Sequence, residues 1–136
     1  MSEKNFWVLL RNKLPIKMYR VENKVMKGMP DIHYIKDGQS GWIELKYIHY
    51  LPKKRVSTGL KLNQSLWAKD YVSRGGKSWI MIRIQRSHTI LVKGEHSNFI
   101  YKRPNLKEIF HISSWYKIGN MEDKDWDELA SILTIP

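Results

Sequence analysis

The sequence predicts a mixed α/β fold, in which a central sheet is flanked by helices. Segments with apolar residues at helical spacing alternate along the chain with short apolar or alternating segments that are typical of strands. Hydrophobic residues make up 42% of the 136 residues, which is enough apolar surface for a core. A chain of this length without a linker-like stretch is expected to form one domain, with a core over about 1–94 and a C-terminal extension over about 95–136.

Each element has a local signal. A first helix is predicted to begin at a Ser2 cap, because Phe6 and Leu10 follow at helical spacing. The polar turn 36–41 lies between two strand-like segments and predicts a hairpin, and the glycine pair 75–76 predicts the end of a helix. The predicted elements are helices over 2–13, 61–74 and about 122–133 and strands over 16–21, 31–36, 42–47, 78–84 and 88–94. The pattern over 105–118 predicts neither a helix nor a strand.

The charge is unevenly distributed along the chain, whose net charge is +11. Residues 1–104 carry 21 Lys and Arg against 7 Asp and Glu, whereas residues 105–136 carry 3 against 6. Such an excess attracts the phosphates of nucleic acid, although it also serves solubility or binding to anionic membranes. The chain has no Cys, which excludes disulfides and thiolate zinc sites.

No apolar stretch approaches the length of a membrane span. The expectation is therefore a protein without a membrane partner, located inside the cell, in the cytoplasm, or in the host cytoplasm if the chain is viral.

The chemistry is predicted to lie in two neighbouring strands. Pro30 and Asp31 open the first strand of the hairpin, and Glu44, Leu45 and Lys46 lie in the second. The strand period of two places the side chains of Glu44 and Lys46 on one face. The two carboxylates and the Leu45 carbonyl are hard oxygen ligands for Mg²⁺ or Mn²⁺, and Lys46 can hold or help deprotonate an attacking water.

These residues resemble a known nuclease group. GMPD (28–31), WIELK (42–46) and a following helix that carries Gln64 are similar to the virus-type replication-repair nuclease (VRR-NUC) family of the PD-(D/E)xK superfamily, over roughly residues 1–84. The resemblance implies a restriction-endonuclease-like fold with a mixed central sheet. It also implies metal-dependent cleavage of DNA.

The resemblance assigns roles to individual residues. Asp31 and Glu44 are expected to bind the metal, Lys46 to be the catalytic lysine, and Gln64 to assist from the helix. Two residues could supply a further acid: Glu22, which is favoured as a catalytic residue and metal ligand because it lies nearer in sequence, and Glu3, whose place in the first helix is typical of the superfamily.

Small stand-alone members of that family imply a structure-selective endonuclease that acts as a homodimer on branched DNA such as Holliday junctions. Two alternatives remain open, a nuclease for flaps, ends or single strands, and a nucleic-acid-binding module without catalysis. Trp115, Tyr116 and the helix with Trp126 are candidates for a dimer interface, or they complete the core of the monomer.

Simpler interpretations exist for several residues. Glu44 and Lys46 could form an ion pair on a solvated strand face, and Gln64 could be a helix-capping residue. Trp67 and Tyr71 are expected in the core. The predicted contacts to nucleic-acid phosphates are Arg20, Lys24, Lys27, Lys53, Lys54, Arg55 and Lys61, for which a solvated surface is the alternative.

Overall fold

The fold is built on one six-stranded sheet whose strands lie in sequence order. It is known from a computed structural model, which describes residues 2–22 and 25–136. The elements are α1 (Glu3–Lys13), β1 (Lys17–Arg20), β2 (Ile32–Lys36), β3 (Gln39–Ile48), α2 (Leu62–Ser73), β4 (Ser78–Ile84), β5 (His88–Lys93), a 3₁₀ turn (Gly94–His96), α3 (Ser97–Tyr101), α4 (Leu106–Ile112), β6 (Trp115–Ile118) and α5 (Asp123–Leu133).

The strands β3 and β4 pair in parallel, while the other neighbouring pairs are antiparallel. Parallel neighbours cannot be joined by a tight turn, so a crossover must carry the chain back across the sheet. The segment between β3 and β4 includes α2. The sheet is therefore mixed and flanked by helices, as the sequence predicted.

Two apolar cores lie on opposite faces of the sheet. The first core joins the sheet to α1 and α5, and the second joins the other face to α3, α4 and the loop before α2. Along β3, Ile43 and Leu45 are buried in the first core, whereas Ile48 packs in the second. Because strand residues alternate between faces, Glu44 and Lys46 lie on the side of the second core. The predicted alternation is confirmed.

The hairpin between β2 and β3 is tighter than the predicted turn over 36–41. Asp37 and Gly38 alone connect the strands, and both have positive φ, 52° and 79°. Two-residue turns of this kind match the right-handed twist of the strands, which allows β3 to begin at Gln39. The Ser2 cap of α1 is confirmed, since its hydroxyl accepts a hydrogen bond from the Asn5 N–H at 3.2 Å.

The C-terminal part contains elements that the sequence pattern did not resolve. The segment 105–118 forms α4 and the edge strand β6, and α3 was not predicted. Helix α3 is too short to show a helical period, and in β6 Tyr116 and Ile118 are exposed. Their apolar character therefore does not mark a buried face.

The proposed interface residues have different surroundings. Trp126 is buried in the first core, Trp115 packs against that core and donates to Glu128, and Tyr116 is exposed. Trp126 therefore completes the core of the monomer, which was the alternative to a place in a dimer interface. None of the described helices is long and apolar enough to span a membrane.

The buried side chains of Tyr34 and His88 have shifted pKa values. The Tyr34 hydroxyl donates to the Leu133 carbonyl at 2.7 Å and accepts from the Trp79 indole N–H at 2.9 Å. Burial raises the pKa of Tyr34 to about 12. At the start of β5, burial lowers the pKa of His88 below its ordinary value.

Candidate active site

Asp31 and Glu44 are brought together by the pairing of β2 with β3. The last registered pair of that ladder is Ile32 with Ile43, so Asp31 lies one step further, beside Glu44. The Asp31 carboxylate accepts a hydrogen bond from the Leu45 N–H at 3.2 Å. The Asp31 carbonyl also accepts from the Val21 N–H at 2.8 Å. Asp31 is therefore fixed by backbone groups on both sides.

The Leu45 carbonyl points towards Asp31, on the same side of β3 as the Leu45 N–H. Within a strand, the N–H and C=O of one residue point in the same direction, and the Leu45 N–H reaches Asp31. The registered pairing of β2 with β3 ends at Ile32 and Ile43, before it reaches Leu45. This carbonyl therefore lies beside Asp31 and beyond the paired part of β2.

Glu44 and Lys46 form a pair that is almost withdrawn from solvent. Their carboxylate oxygen and ammonium nitrogen are 3.6 Å apart, and only 6% and 10% of the two side chains are exposed. The alternative of an ion pair on a solvated face is not what the structure contains. Charges interact more strongly when water is excluded, so this pairing is stronger than it would be on a solvated face.

At Gly28 the GMPD loop packs closely against the first turn of α2. Its φ is +88°, and an added Cβ would lie 2.3 Å from the Asn63 carbonyl oxygen and 3.2 Å from the Gln64 nitrogen. Only glycine permits this approach of one backbone to another. The contact sets where the loop lies just before Pro30 and Asp31. The sequence pattern identified Gly28 only as a residue typical of a loop.

The side chain of Gln64 caps the N-terminus of α2, in addition to its predicted role in the active site. Its side-chain oxygen accepts a hydrogen bond from the Lys61 N–H at 2.9 Å, which caps the beginning of α2. The side-chain oxygen of Gln64 therefore acts as a helix cap, as the simpler interpretation expected. The amide nitrogen of Gln64 remains a donor group, and the residue lies next to the Gly28 contact.

The two candidates for a further acid have exposed side chains. Glu22 is exposed and lies two residues beyond β1, and Glu3 is exposed in the first turn of α1, on the helix stripe that continues to Phe6 and Leu10. Among residues 2–22 and 25–136, no three His, Asp or Glu side chains form a group that could hold a metal ion. The roles of Glu22 and Glu3 stay predictions.

An aromatic row borders the acids on the same side of the sheet. The rings of His33 and Trp42 are 4.9 Å apart, those of Trp42 and Trp67 are 5.9 Å apart, and those of Trp67 and Tyr71 are stacked at 4.8 Å. All four side chains are partly buried rather than enclosed in a core. They form an apolar wall beside the site.

The basic residues predicted to contact nucleic acid differ in their surroundings. Arg55 donates from its guanidinium to the carbonyls of Arg103 and Lys102, at 2.8 and 2.6 Å. Lys24 lies outside the described residues. The side chains of Arg20, Lys27, Lys53, Lys54 and Lys61 are exposed.

The donor set suits a hard divalent cation. Mg²⁺ is commonly held by one or two carboxylates, with water or substrate oxygens completing its shell. Asp31 and Glu44 supply two carboxylates, and the Leu45 carbonyl adds a third oxygen of the same chemical type. The residues therefore fit the metal that the motif implies without a third acid.

The fold was compared with those of known proteins. It is similar to the structure of Hjc, a Holliday junction resolvase from the archaeal hyperthermophile Archaeoglobus fulgidus, with a TM-score of 0.50 and 17% sequence identity. The similarity covers 82% of this chain and 89% of that one. No protein-family model and no curated protein matches the chain. At this identity the likeness concerns the fold alone, and it confirms the predicted mixed α/β fold with a central sheet flanked by helices.

Proposed function

We propose that this chain is a metal-dependent endonuclease that hydrolyses phosphodiester bonds in branched DNA such as Holliday junctions, as a member of the VRR-NUC-like nucleases. One observation carries the proposal. The hydrogen bond from Leu45 to Asp31 holds one carboxylate beside Glu44, next to a buried lysine, in a fold shared with a resolvase. A site of this composition is suited to phosphodiester hydrolysis.

Each residue has a defined task in the proposed reaction. Asp31, Glu44 and the Leu45 carbonyl would hold Mg²⁺ or Mn²⁺, which when bound supplies Lewis acidity at the phosphoryl oxygens. The Lys46 ammonium, oriented by Glu44, donates to the attacking water or to a phosphoryl oxygen and stabilises the negative charge of the transition state. Water forms the new P–O bond as the bond to the leaving oxygen breaks.

DNA as the substrate follows from charge and from shape. The net charge of +11 favours a polyanion, and backbone contacts through exposed lysines read the path of a duplex rather than its sequence. The resolvase named above acts on Holliday junctions. Paired cuts across a symmetric junction require two active sites related by a twofold axis, so a homodimer is part of the proposal.

Cleavage of labelled DNA tests the proposal. A four-way junction, a linear duplex and a single strand are incubated with Mg²⁺, Mn²⁺ or EDTA, with wild type, Lys46→Ala, and Lys93→Ala as a control that removes an exposed lysine. Metal-dependent paired cuts in the junction, lost in Lys46→Ala and kept in Lys93→Ala, are expected. Cuts confined to the ends of the linear duplex or to the single strand would transfer the activity to that substrate class, and a flap substrate added to the same assay tests the remaining alternative.

Junction binding without cleavage under any metal would overturn catalysis and leave a binding module. Sedimentation measures the homodimer separately. A single species of 16.2 kDa with and without junction DNA would remove that part of the proposal.

A further inference from the structure

A basic groove lies between the loop that follows β3 and the segment from α3 to α4. It has a volume of about 760 Å³. One wall comes from the loop after β3, and the other comes from the C-terminal extension. The basic residues that line it are Lys53, Lys54, Arg55, Lys102, Arg103 and Lys107.

The two walls are fastened to each other through backbone groups. The Arg55 guanidinium donates to the carbonyls of Lys102 and Arg103, and the Val56 N–H donates to the Pro104 carbonyl at 2.8 Å. Arg55 also forms an isolated β-bridge with Asn105. These bonds hold the backbones of the two walls in a fixed relation.

The charge of the groove is one-sided. Its six basic side chains are all exposed, and Glu108 is the acidic residue in the lining. The Glu108 carboxylate accepts from the Asn105 N–H at 3.0 Å, as part of the cap of α4. It is therefore held at the helix start. A row of cations along two fixed walls suits a polyanion with regularly spaced charges.

The groove extends along the loop that precedes α2. A second groove of about 500 Å³ shares Arg55, Lys102 and Arg103 and extends along the loop 57–60. That loop leads directly to Lys61 and the start of α2, where the Gly28 contact lies. The two grooves therefore form one basic surface between the C-terminal extension and the segment that precedes α2.

We propose that this groove binds the phosphate backbone of a DNA duplex arm, at a site separate from the acids, with the C-terminal extension supplying half of the contacts. Lys102, Arg103 and Lys107 join the lysines of the first wall, and Arg55 fastens the walls. This inference rests on the proposed function only in taking DNA as the ligand. It assigns a binding role to an extension beyond the part of the chain that resembles VRR-NUC.

Binding in EDTA tests the groove without requiring catalysis. The dissociation constant for a long-armed junction is measured across a salt series for wild type, for Lys102→Ala/Lys107→Ala, and for Lys13→Ala/Lys93→Ala. The control pair removes the same charge from exposed lysines that line neither groove. Loss of two phosphate contacts should weaken binding about tenfold or more and reduce the slope of log K against log salt by roughly 1.8.

A second measurement uses a junction whose arms are truncated next to the branch. The Lys102→Ala/Lys107→Ala variant should then bind with the same affinity as wild type, because the duplex arms no longer reach the groove. If the two double variants bind the long-armed junction with equal affinities and salt slopes, the groove does not bind DNA and the inference is wrong. It is also wrong if the wild type binds no DNA. If wild type binds but never cuts, the proposed activity fails while the comparison of the double variants still decides the groove.

Discussion

Gly28→Ala tests the idea that the GMPD loop is positioned by its contact with α2. At φ +88° an alanine costs about 1 kcal/mol or more in backbone conformation. Its Cβ would also lie 2.3 Å from the Asn63 carbonyl oxygen. Restoring an ordinary separation of about 3.5 Å requires a relative displacement of about 1 Å. Strain of this kind typically adds about 1–3 kcal/mol, so a total loss of roughly 2–4 kcal/mol is expected.

Gly38→Ala is a matched control. Gly38 has φ +79°, and an added Cβ there has no neighbour within 4 Å. It therefore carries the conformational cost without the collision. Because Gly28 lies shortly before Asp31, a displacement of about 1 Å should lower cleavage by about 100-fold in Gly28→Ala, whereas Gly38→Ala should cut like wild type.

Urea denaturation gives the free energies of unfolding, and cleavage rates are measured at saturating metal with folded protein. A loss of stability in Gly28→Ala that only equals that of Gly38→Ala would refute the steric reasoning. An unchanged cleavage rate in a clearly destabilised Gly28→Ala would refute the claim that this contact places the site.

Three further predictions concern other parts of the molecule. Glu22→Gln should lower cleavage more than Glu3→Gln, because Glu22 follows the residue whose N–H binds the Asp31 carbonyl; equal rates for the two variants would contradict this. Tyr34→Phe should reduce the free energy of unfolding by about 2 kcal/mol, since two buried hydrogen bonds are lost. Its cleavage rate should not change, which a parallel assay checks. The lowered pKa of His88 favours the neutral imidazole in the folded state, so stability is complete above pH 6.5 and is lost as the pH falls below it. Urea titrations on both sides of that pH should show the loss in wild type and a flatter profile in His88→Gln.

Local sequence patterns predict the fold class, the central strands, and which residues of β3 face each side of the sheet. The alternation around Glu44 is a local property, because successive strand residues must point to opposite faces. The Ser2 cap and the apolar strand β4 are local in the same sense. The motif also placed Asp31 at a strand start, which the structure places one residue before β2.

Contacts between residues that are distant in the sequence cannot be predicted from such local patterns. Nothing local to Gly28 specifies the carbonyl of Asn63, and nothing in Arg55 specifies the carbonyls of Lys102 and Arg103. The sequence pattern assigned Arg55 to phosphate contact, whereas its guanidinium also joins two segments. Such contacts depend on loop paths and on backbone groups that every residue possesses. The type of a residue does not indicate which backbone groups it will contact, so these contacts follow only from how the chain packs.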